Sequence, residues 1–418
     1  MNAIGFLIRA LIVTCICLFP APVHVEEGNG IQQEMMSGDL SRLKIDDLFP
    51  QVVLPVGESF EKVHPSLDSL FRSYQKKRNF NGVVLFAEKG EVVHSAAYGS
   101  ANFEQQIPLS IDTRFQLASV SKIYTSTAVL ILMEKGLLGL DDPLKWHIPE
   151  FPYEGVSIRH LLTHRSGLAR YMGLADAHWD RRKPLTNEEV LDLFIQHKPV
   201  LWSKPGKKFH YLNTNYAFLG LLIERVSGKS YPQFIQQEII DPIGLHETKV
   251  VNYQDRLEEG KQAYATGYNR VRRKRKDAQG DYIDGVFGDK GVYASAKDLF
   301  RFEQALKNHL LLTPANQALA YQPGIRGKRV NNYGLGWRMK SYYPGMVYHF
   351  GWWRGFRSCL VRDLAAQKTM IILSNQDSPR HTVPYWSVFR FFHQQSSSDS
   401  RPWNQLEADY EAESLSAR

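Results

Sequence analysis

The stretch Thr113-Arg-Phe-Gln-Leu-Ala-Ser119-Val-Ser-Lys122-Ile-Tyr-Thr-Ser-Thr-Ala-Val-Leu-Ile-Leu-Met133 decides how this chain is read. An extended segment turns into a helix at Ser119, and that helix is apolar on nearly every side. A helix with no polar face is buried all round, so its first turn starts deep inside the protein. Ser119 and Lys122 are three residues apart and share one face of it. The helix N-terminus adds unpaired N–H groups and a positive dipole end, both favouring negative charge nearby. Ser-x-x-Lys also occurs at Ser41, Ser59 and Ser73. The first two lie in a polar leader with Pro50 and Pro55, and the third at the exposed end of an amphipathic helix. Taken as a pattern alone, Ser119 fits a helix N-cap followed by a surface lysine. The apolar helix argues against that, because lysine is rarely buried without a partner or a task.

Two further motifs lie downstream. Lys204-Pro-Gly206 reads as a turn, and Phe209-His-Tyr-Leu-Asn213 follows it into a second apolar helix. Tyr211 and Asn213 therefore sit on a loop held by a rigid element, a frequent place for catalytic groups. A phenol there can relay the serine proton, and Asn213 can bind substrate and orient the lysine. The alternative is an aromatic packed at a helix start, with Asn213 as its cap. Further on, Met346-Val-Tyr348 reads as a short strand before His349-Phe-Gly-Trp352, and Trp353 to Val361 reads as another. Gly351 lets a substrate backbone come close. The N–H of Trp352, with that of Ser119, can form an oxyanion hole. His349 reads as a substrate-side or electrostatic group and not as the general base.

With these residues on the page, the chain resembles the serine β-lactamase and penicillin-binding-protein superfamily, on its class C-like branch of esterases, D-alanyl-D-alanine carboxypeptidases and D-aminopeptidases. Ile158-Arg-His-Leu-Leu-Thr-His-Arg-Ser-Gly-Leu168, Gly291-Val-Tyr-Ala-Ser-Ala-Lys-Asp-Leu-Phe-Arg-Phe302, Tyr333-Gly-Leu-Gly-Trp337 and Gly355-Phe356 extend the resemblance over roughly residues 65 to 390. It implies Ser119 as the acylated nucleophile, Lys122 as its activator and Tyr211 as the base of acylation. Asn213, His349, Gly351 and Trp352 would bind substrate. It also implies an α/β fold: an antiparallel sheet flanked by helices, built from both chain ends, with a mostly helical domain inserted. His349-x-Gly351 stands where many members carry Lys-Thr-Gly. Histidine is a weaker anchor for a carboxylate near neutral pH, so an ester or peptide-like amide is expected ahead of a β-lactam. A β-lactamase, and a non-catalytic penicillin-binding sensor of the same fold, are the alternatives.

Composition agrees with a globular protein. The chain has 418 residues, 43% of them hydrophobic, enough for more than one core. The formal net charge is +8, with basic residues scattered except in Arg270-Val-Arg-Arg-Lys-Arg-Lys276, which reads as a solvated loop. No nucleic-acid motif accompanies that run, so no nucleic-acid partner is expected; over the cleft it would favour anionic substrates. Ala10 to Phe19 is apolar, follows Arg9 and precedes Pro20-Ala-Pro22. Residues 1–26 thus read as an export signal, or alternatively as a retained membrane anchor. Its loss would leave Cys359 alone, with no internal disulfide, which suits a bacterial periplasm or cell surface. Residues 27–64 read as a linker or surface strap and 65–395 as the hydrolase domain. The helical insertion within it is expected over about 119–280, and 396–418 as a mobile tail. Asn81 to His94 reads as a hairpin, Thr369 to Asn375 as a buried strand, and Pro384 to His393 as a closing amphipathic helix. No cofactor and no metal are expected: His160 and His164 are four apart but fall in a structural turn.

Overall fold

The computed structural model describes residues 60–396 except 259–262, 272–273, 279, 325–332, 341–342 and 378–382. The expected signal, most of the linker and the tail lie outside the described residues.

The strands in chain order are β1 (Gly82–Glu88), β2 (Glu91–Tyr98), β3 (Ser100–Asn102), β4 (Ile107–Pro108), β5 (Phe115–Gln116), β6 (Thr248–Val250) and β7 (Tyr268–Val271). They continue with β8 (Lys274–Asp277), β9 (Val292–Ala294), β10 (Arg338–Lys340), β11 (Tyr343–Trp353), β12 (Phe356–Asp363), β13 (Lys368–Ser374) and β14 (Gln376–Asp377). The longer helices are α1 (Pro65–Arg78), α2 (Ser121–Glu134), α3 (Asn187–His197), α4 (Asn213–Ser227), α5 (Ala296–Lys307) and α6 (Tyr385–Ser396).

The main sheet has the order β10-β11-β12-β13-β1-β2 and is antiparallel throughout. Gly82 pairs with Ser374, so the two ends of the chain form neighbouring strands at its centre. The expected α/β architecture, an antiparallel sheet built from both ends with helices between, is the observed one. Alternation fixes the register. Val83, Leu85, Leu360, Ile371 and Leu373 face the large core with α2 and α4. Val84, Phe86, Cys359, Val361, Met370 and Ile372 face the other way, onto Leu67 and Phe71 of α1 and Trp386, Phe389 and Phe392 of α6. Both faces are covered, so β13 is buried at every position and its centre, Met370–Leu373, is an apolar run without alternation. A one-residue slip would turn each set to the wrong core.

Local chemistry sets the ends of the elements. α1 opens on Pro65 at its first position. α3 begins with a capping box between Thr186 and Glu189. The side chain of Ser295 caps α5 through the N–H of Asp298. In the strap before α1, Lys62 accepts a backbone hydrogen bond from Ser95 on β2 at 2.8 Å.

One expectation is corrected here. Within the basic run over 270–276, the described residues 270–271 and 274–276 are strand and not loop: β7 and β8 pair antiparallel from Tyr268↔Asp277 to Val271↔Lys274. β7 also pairs in parallel with β14. Charge density hid the strands, because the pairing is made by the backbone and is indifferent to which side chains point outward.

Candidate active site

Ser119 lies in a single 3-10 turn, Ala118–Val120, that runs directly into α2. Every residue of α2 from Ser121 to Leu132 is buried, as its composition requires. Ser121, Lys122, Thr125 and Ser126 among them have partners. Ser121 Oγ accepts from the N–H of Val292. Thr125 Oγ1 donates to the Gly288 carbonyl at 2.6 Å, and Ser126 Oγ to that of Leu335 at 2.7 Å. Lys122 is fully buried, and its ammonium donates to Ser119 Oγ at 3.0 Å, Asn213 Oδ1 at 2.9 Å and the Asp289 carbonyl at 2.9 Å. All three of its donors are thereby used.

The turn is strained and clamped. Ala118, just before the serine, has a φ of 50°, a left-handed conformation that costs a residue with a Cβ. The N–H of Leu117 donates to the Val292 carbonyl at 2.9 Å, and the Leu117 carbonyl accepts from Ser358 Oγ at 2.5 Å. Gly351 explains how β11 can approach so closely. A Cβ there would stand 2.2 Å from Ser358 Oγ, 2.3 Å from the Leu117 carbonyl oxygen and 3.0 Å from Ala118 Cβ. The glycine therefore admits the nucleophile turn; the space beside it is filled by protein and not left for substrate.

His349, Gly351 and Trp352 all lie within β11, which runs unbroken to Trp353 instead of stopping before His349. On its outer side the last β10 partner is Arg338, opposite Tyr348. Beyond it, no strand among the described residues pairs with His349–Trp353 on that side. Arg354 and Gly355, with φ of 42° and 83°, form a two-residue turn of the I′ type between β11 and β12. In such a hairpin the flanking residues, Trp353 and Phe356, exchange both hydrogen bonds, and the pattern then alternates. The N–H of Trp352 therefore points away from β12, to the open edge. Its indole is 61% exposed and donates to Asp377 Oδ2 at 2.5 Å. Arg357 holds the same carboxylate at 2.8 Å, so the ring is fixed at the rim.

Tyr211 stands on the loop before α4, and Asn213 is the first residue of that helix. Leu212 is the N-cap and offers no side-chain bond. Asn213 is thus not a cap: its carbonyl oxygen is committed to Lys122. The Tyr211 ring lies between two cations, Lys122 Nζ at 5.2 Å and Arg338 Cζ at 4.8 Å from its centroid. Beneath it packs His164, with ring centroids 4.3 Å apart. His164 is buried and bonds the N–H of Leu212 and the side chain of Asn215 through Nδ1. Burial, and then the charges of Lys122 and Arg338, hold its imidazole well below the ordinary range. His160, by contrast, closes the helix cap with Ser157.

His349 is fully buried, with Nδ1 2.8 Å from the Phe350 carbonyl and Nε2 3.1 Å from the Tyr333 hydroxyl. Burial, followed by the charges of Arg338 and Lys122, holds its imidazole well below the ordinary range. It brings no positive charge to the strand.

The structure brings Ser119, Lys122 and Asn213 into direct contact, sets Tyr211 over the lysine, and places Gly351 against the turn that carries the serine. The sequence by itself did not single out Arg338 or Asp289, and it read His164 only as part of a structural turn. Arg338 directly follows the quoted Tyr333–Trp337 motif, and Asp289 stands two residues before the Gly291–Phe302 motif. Neither carries a pattern of its own. Among the described residues no group of three or more His, Cys, Asp or Glu side chains is placed to hold a metal ion.

Comparison with known proteins agrees with this geometry. The Beta-lactamase family model matches residues 67–393. "Penicillin-binding protein 4*" of Bacillus subtilis (strain 168) is 36% identical over 330 residues, spanning 74% of this chain and 71% of its own length. "Putative penicillin-binding protein PbpX" of the same strain is 27% identical and spans 72% of each. Among solved structures, a penicillin binding protein from Bacillus halodurans superimposes with a TM-score of 0.68 at 25% identity, over 77% of this chain and 98% of that one. The Ser119 turn, the lysine beside it and the sheet shared by both chain ends thus have one explanation: the chain belongs to the β-lactamase family of serine hydrolases.

Proposed function

We propose that this protein is an exported hydrolase that transfers an acyl group from an ester or a peptide-like amide to Ser119 and then to water. The observation that carries this reading is the 3.0 Å contact between Lys122 Nζ and Ser119 Oγ at the start of a buried helix. In the first half-reaction Ser119 Oγ attacks the substrate carbonyl and its proton leaves toward the Lys122–Tyr211 pair. The Tyr211 hydroxyl relays that proton to the departing alcohol or amine. The carbonyl oxygen takes up negative charge facing the N–H groups of Ser119 and Trp352, with Asn213 donating to the acyl side. Water then takes the place of the leaving group, and the same pair returns the proton to Ser119.

The neutral, buried His349 supports the choice of substrate, because it offers no charge to the carboxylate that a penicillin carries. The experiment is a paired one. The full chain is exposed to a fluorophosphonate and to a penicillin, and Ser119 is examined by mass spectrometry. It is then assayed on p-nitrophenyl esters, D-alanyl peptides and nitrocefin. Acylation at Ser119 with ester or peptide turnover supports the reading. Fast nitrocefin turnover alone would make it a β-lactamase, and a stable acyl-enzyme with no turnover on any of the three would make it a sensor. Export rests on the apolar run at Ala10–Phe19. N-terminal sequencing of protein from the native envelope tests it, and an intact Met1 in the membrane fraction means a retained anchor.

A further inference from the structure

One buried ion pair near Lys122 has no part in the chemistry described so far. Asp289 and Lys290 are 1% and 2% exposed. Lys290 Nζ lies 3.4 Å from Asp289 Oδ1 and donates to the Val286 carbonyl at 3.0 Å and to the Tyr171 hydroxyl at 3.1 Å. Tyr171 in turn donates to Asp289 Oδ2 at 3.1 Å. These three side chains close a ring inside the protein. The main-chain carbonyl of the same Asp289 is one of the three acceptors of Lys122.

The loop that carries this carbonyl has little regular structure to hold it. It runs from Val286 to Val292 through Gly288 and Gly291, whose φ values are 95° and 102°. α2 ties it at the Gly288 carbonyl through Thr125 and at the N–H of Val292 through Ser121. Asn187 clamps Phe287 through its N–H and its carbonyl, and Val251 donates to the Gly291 carbonyl. The ring of three side chains fixes Asp289 itself, between those ties. It also reaches the second acceptor of Lys122: the N–H of Tyr171 donates to Thr214 Oγ1 at 2.9 Å, and Thr214 follows Asn213. One network thereby positions two of the three groups that aim the lysine at Ser119.

We propose that the Asp289–Lys290 pair, closed by Tyr171, is the positioning device of Lys122, fixing its carbonyl acceptor and balancing the charge around it. The proposal rests on Ser119 and Lys122 being the acylating pair. Lys122 is faced by Ser119, Asn213 and the Asp289 carbonyl, by the rings of Tyr211 and Tyr216, and by the buried neutral His164 and His349, with Arg338 beyond Tyr211. Lys290 is faced by Asp289, Tyr171, the Trp353 ring at 5.2 Å, and Asp284, whose carboxyl burial pushes up. Burying one charge without its partner is costly, which is why the pair must be complete. With both members present they add no net charge beside Lys122. Loss of either member alone exposes the lysine to the other.

The test measures the rate of Ser119 phosphonylation by a fluorophosphonate, in which Oγ displaces fluoride at phosphorus, against pH in the full chain, with steady-state turnover of an ester alongside. Lys290→Met leaves the Asp289 carboxylate unbalanced, so proton loss from the Lys122–Tyr211 pair becomes harder. The acid limb of the profile moves to higher pH. Asp289→Asn leaves the Lys290 ammonium, and the limb moves to lower pH; a limb displaced by about one pH unit changes the rate on it about tenfold. The double variant returns the limb toward its original place with a lowered rate. Tyr171→Phe removes a hydroxyl and no charge, so it lowers kcat several-fold with KM and the limb unmoved. Limbs that shift in the same direction, or not at all, in the two single variants overturn the proposal. If the single variants do not fold, wild-type phosphonylation rates in the double variant and in Tyr171→Phe overturn it. If the unaltered protein is not phosphonylated at Ser119, the reading of the site itself has failed, a distinct result.

Discussion

Substituting alanine at Gly351 tests whether the strand and the nucleophile turn act as one rigid unit. The added Cβ would stand 2.2 Å from Ser358 Oγ and 2.3 Å from the Leu117 carbonyl oxygen. An ordinary carbon–oxygen contact needs about 1 Å more. The serine hydroxyl can rotate away, but the Leu117 carbonyl is backbone and carries Ala118 and Ser119 with it. Relief requires the turn or β11 to move by roughly 1 Å. Overpacking of this kind costs about 1–3 kcal/mol. Loss of the buried bond from Ser358 Oγ to Leu117 adds about 1 kcal/mol. The expected loss of stability is therefore about 2–4 kcal/mol, read from denaturant midpoints at unchanged slope. The effect on chemistry is larger, because a displacement of about 1 Å at the reacting centre costs on the order of a hundredfold in rate. The assay is the second-order rate of fluorophosphonate labelling of Ser119. Ser358→Ala is the control: it loses the hydrogen bond alone, at about 1 kcal/mol, and keeps most of its labelling rate. A Gly351→Ala protein that labels at the original rate would refute the coupling of β11 to the serine.

Three further outcomes follow from particular contacts. Ala118→Gly should raise stability, read from the denaturation midpoint at unchanged slope, by up to about 1 kcal/mol, since glycine adopts the φ of 50° without strain; a fall would show that the methyl contributes more by packing than it costs. Glu303→Gln should cost about 3–5 kcal/mol, because it leaves Arg362 buried without the carboxylate it meets at 2.7 Å; urea unfolding measures this, and a change within error would contradict it. Burial holds the imidazole of His94 down at about 4, against an ordinary value of 6.5. Unfolding lets it take up a proton, so stability present above the ordinary value is lost as pH falls toward the depressed one. The loss totals about 3 kcal/mol, and His94→Gln should flatten that slope in midpoints taken at successive pH values.

The sequence by itself determined the local elements and the identity of the chemical groups. The apolar run Met370–Leu373 within Thr369–Asn375 required a strand covered on both faces, and β13 is one. The turn at Lys89-Gly90 fixed the β1–β2 hairpin, because both residues take positive φ there. The all-round apolar pattern after Ser119 required a buried helix, and burial made Lys122 conspicuous. These signals are legible because they depend on residues near one another in the chain. The strands in the basic run over 270–276 escaped although their β7–β8 pairing is local, because charged side chains at nearly every position erase the alternation that marks a strand.

What only the tertiary structure decided is which neighbour each group meets. The sequence offered Gly351 as room for a substrate, whereas the fold fills that space with Leu117 and Ser358, supplied by two other segments. It offered His349 as a group at the cleft, whereas the fold buries it against Tyr333 and keeps it neutral. Arg338 gained a place over Tyr211, and Asp289 a place under Lys122, without any motif to announce them. Composition and periodicity record the solvent preference of each residue along the chain. The approach of one backbone to another, and the charge that two distant side chains impose on a third, exist only once the chain has closed on itself.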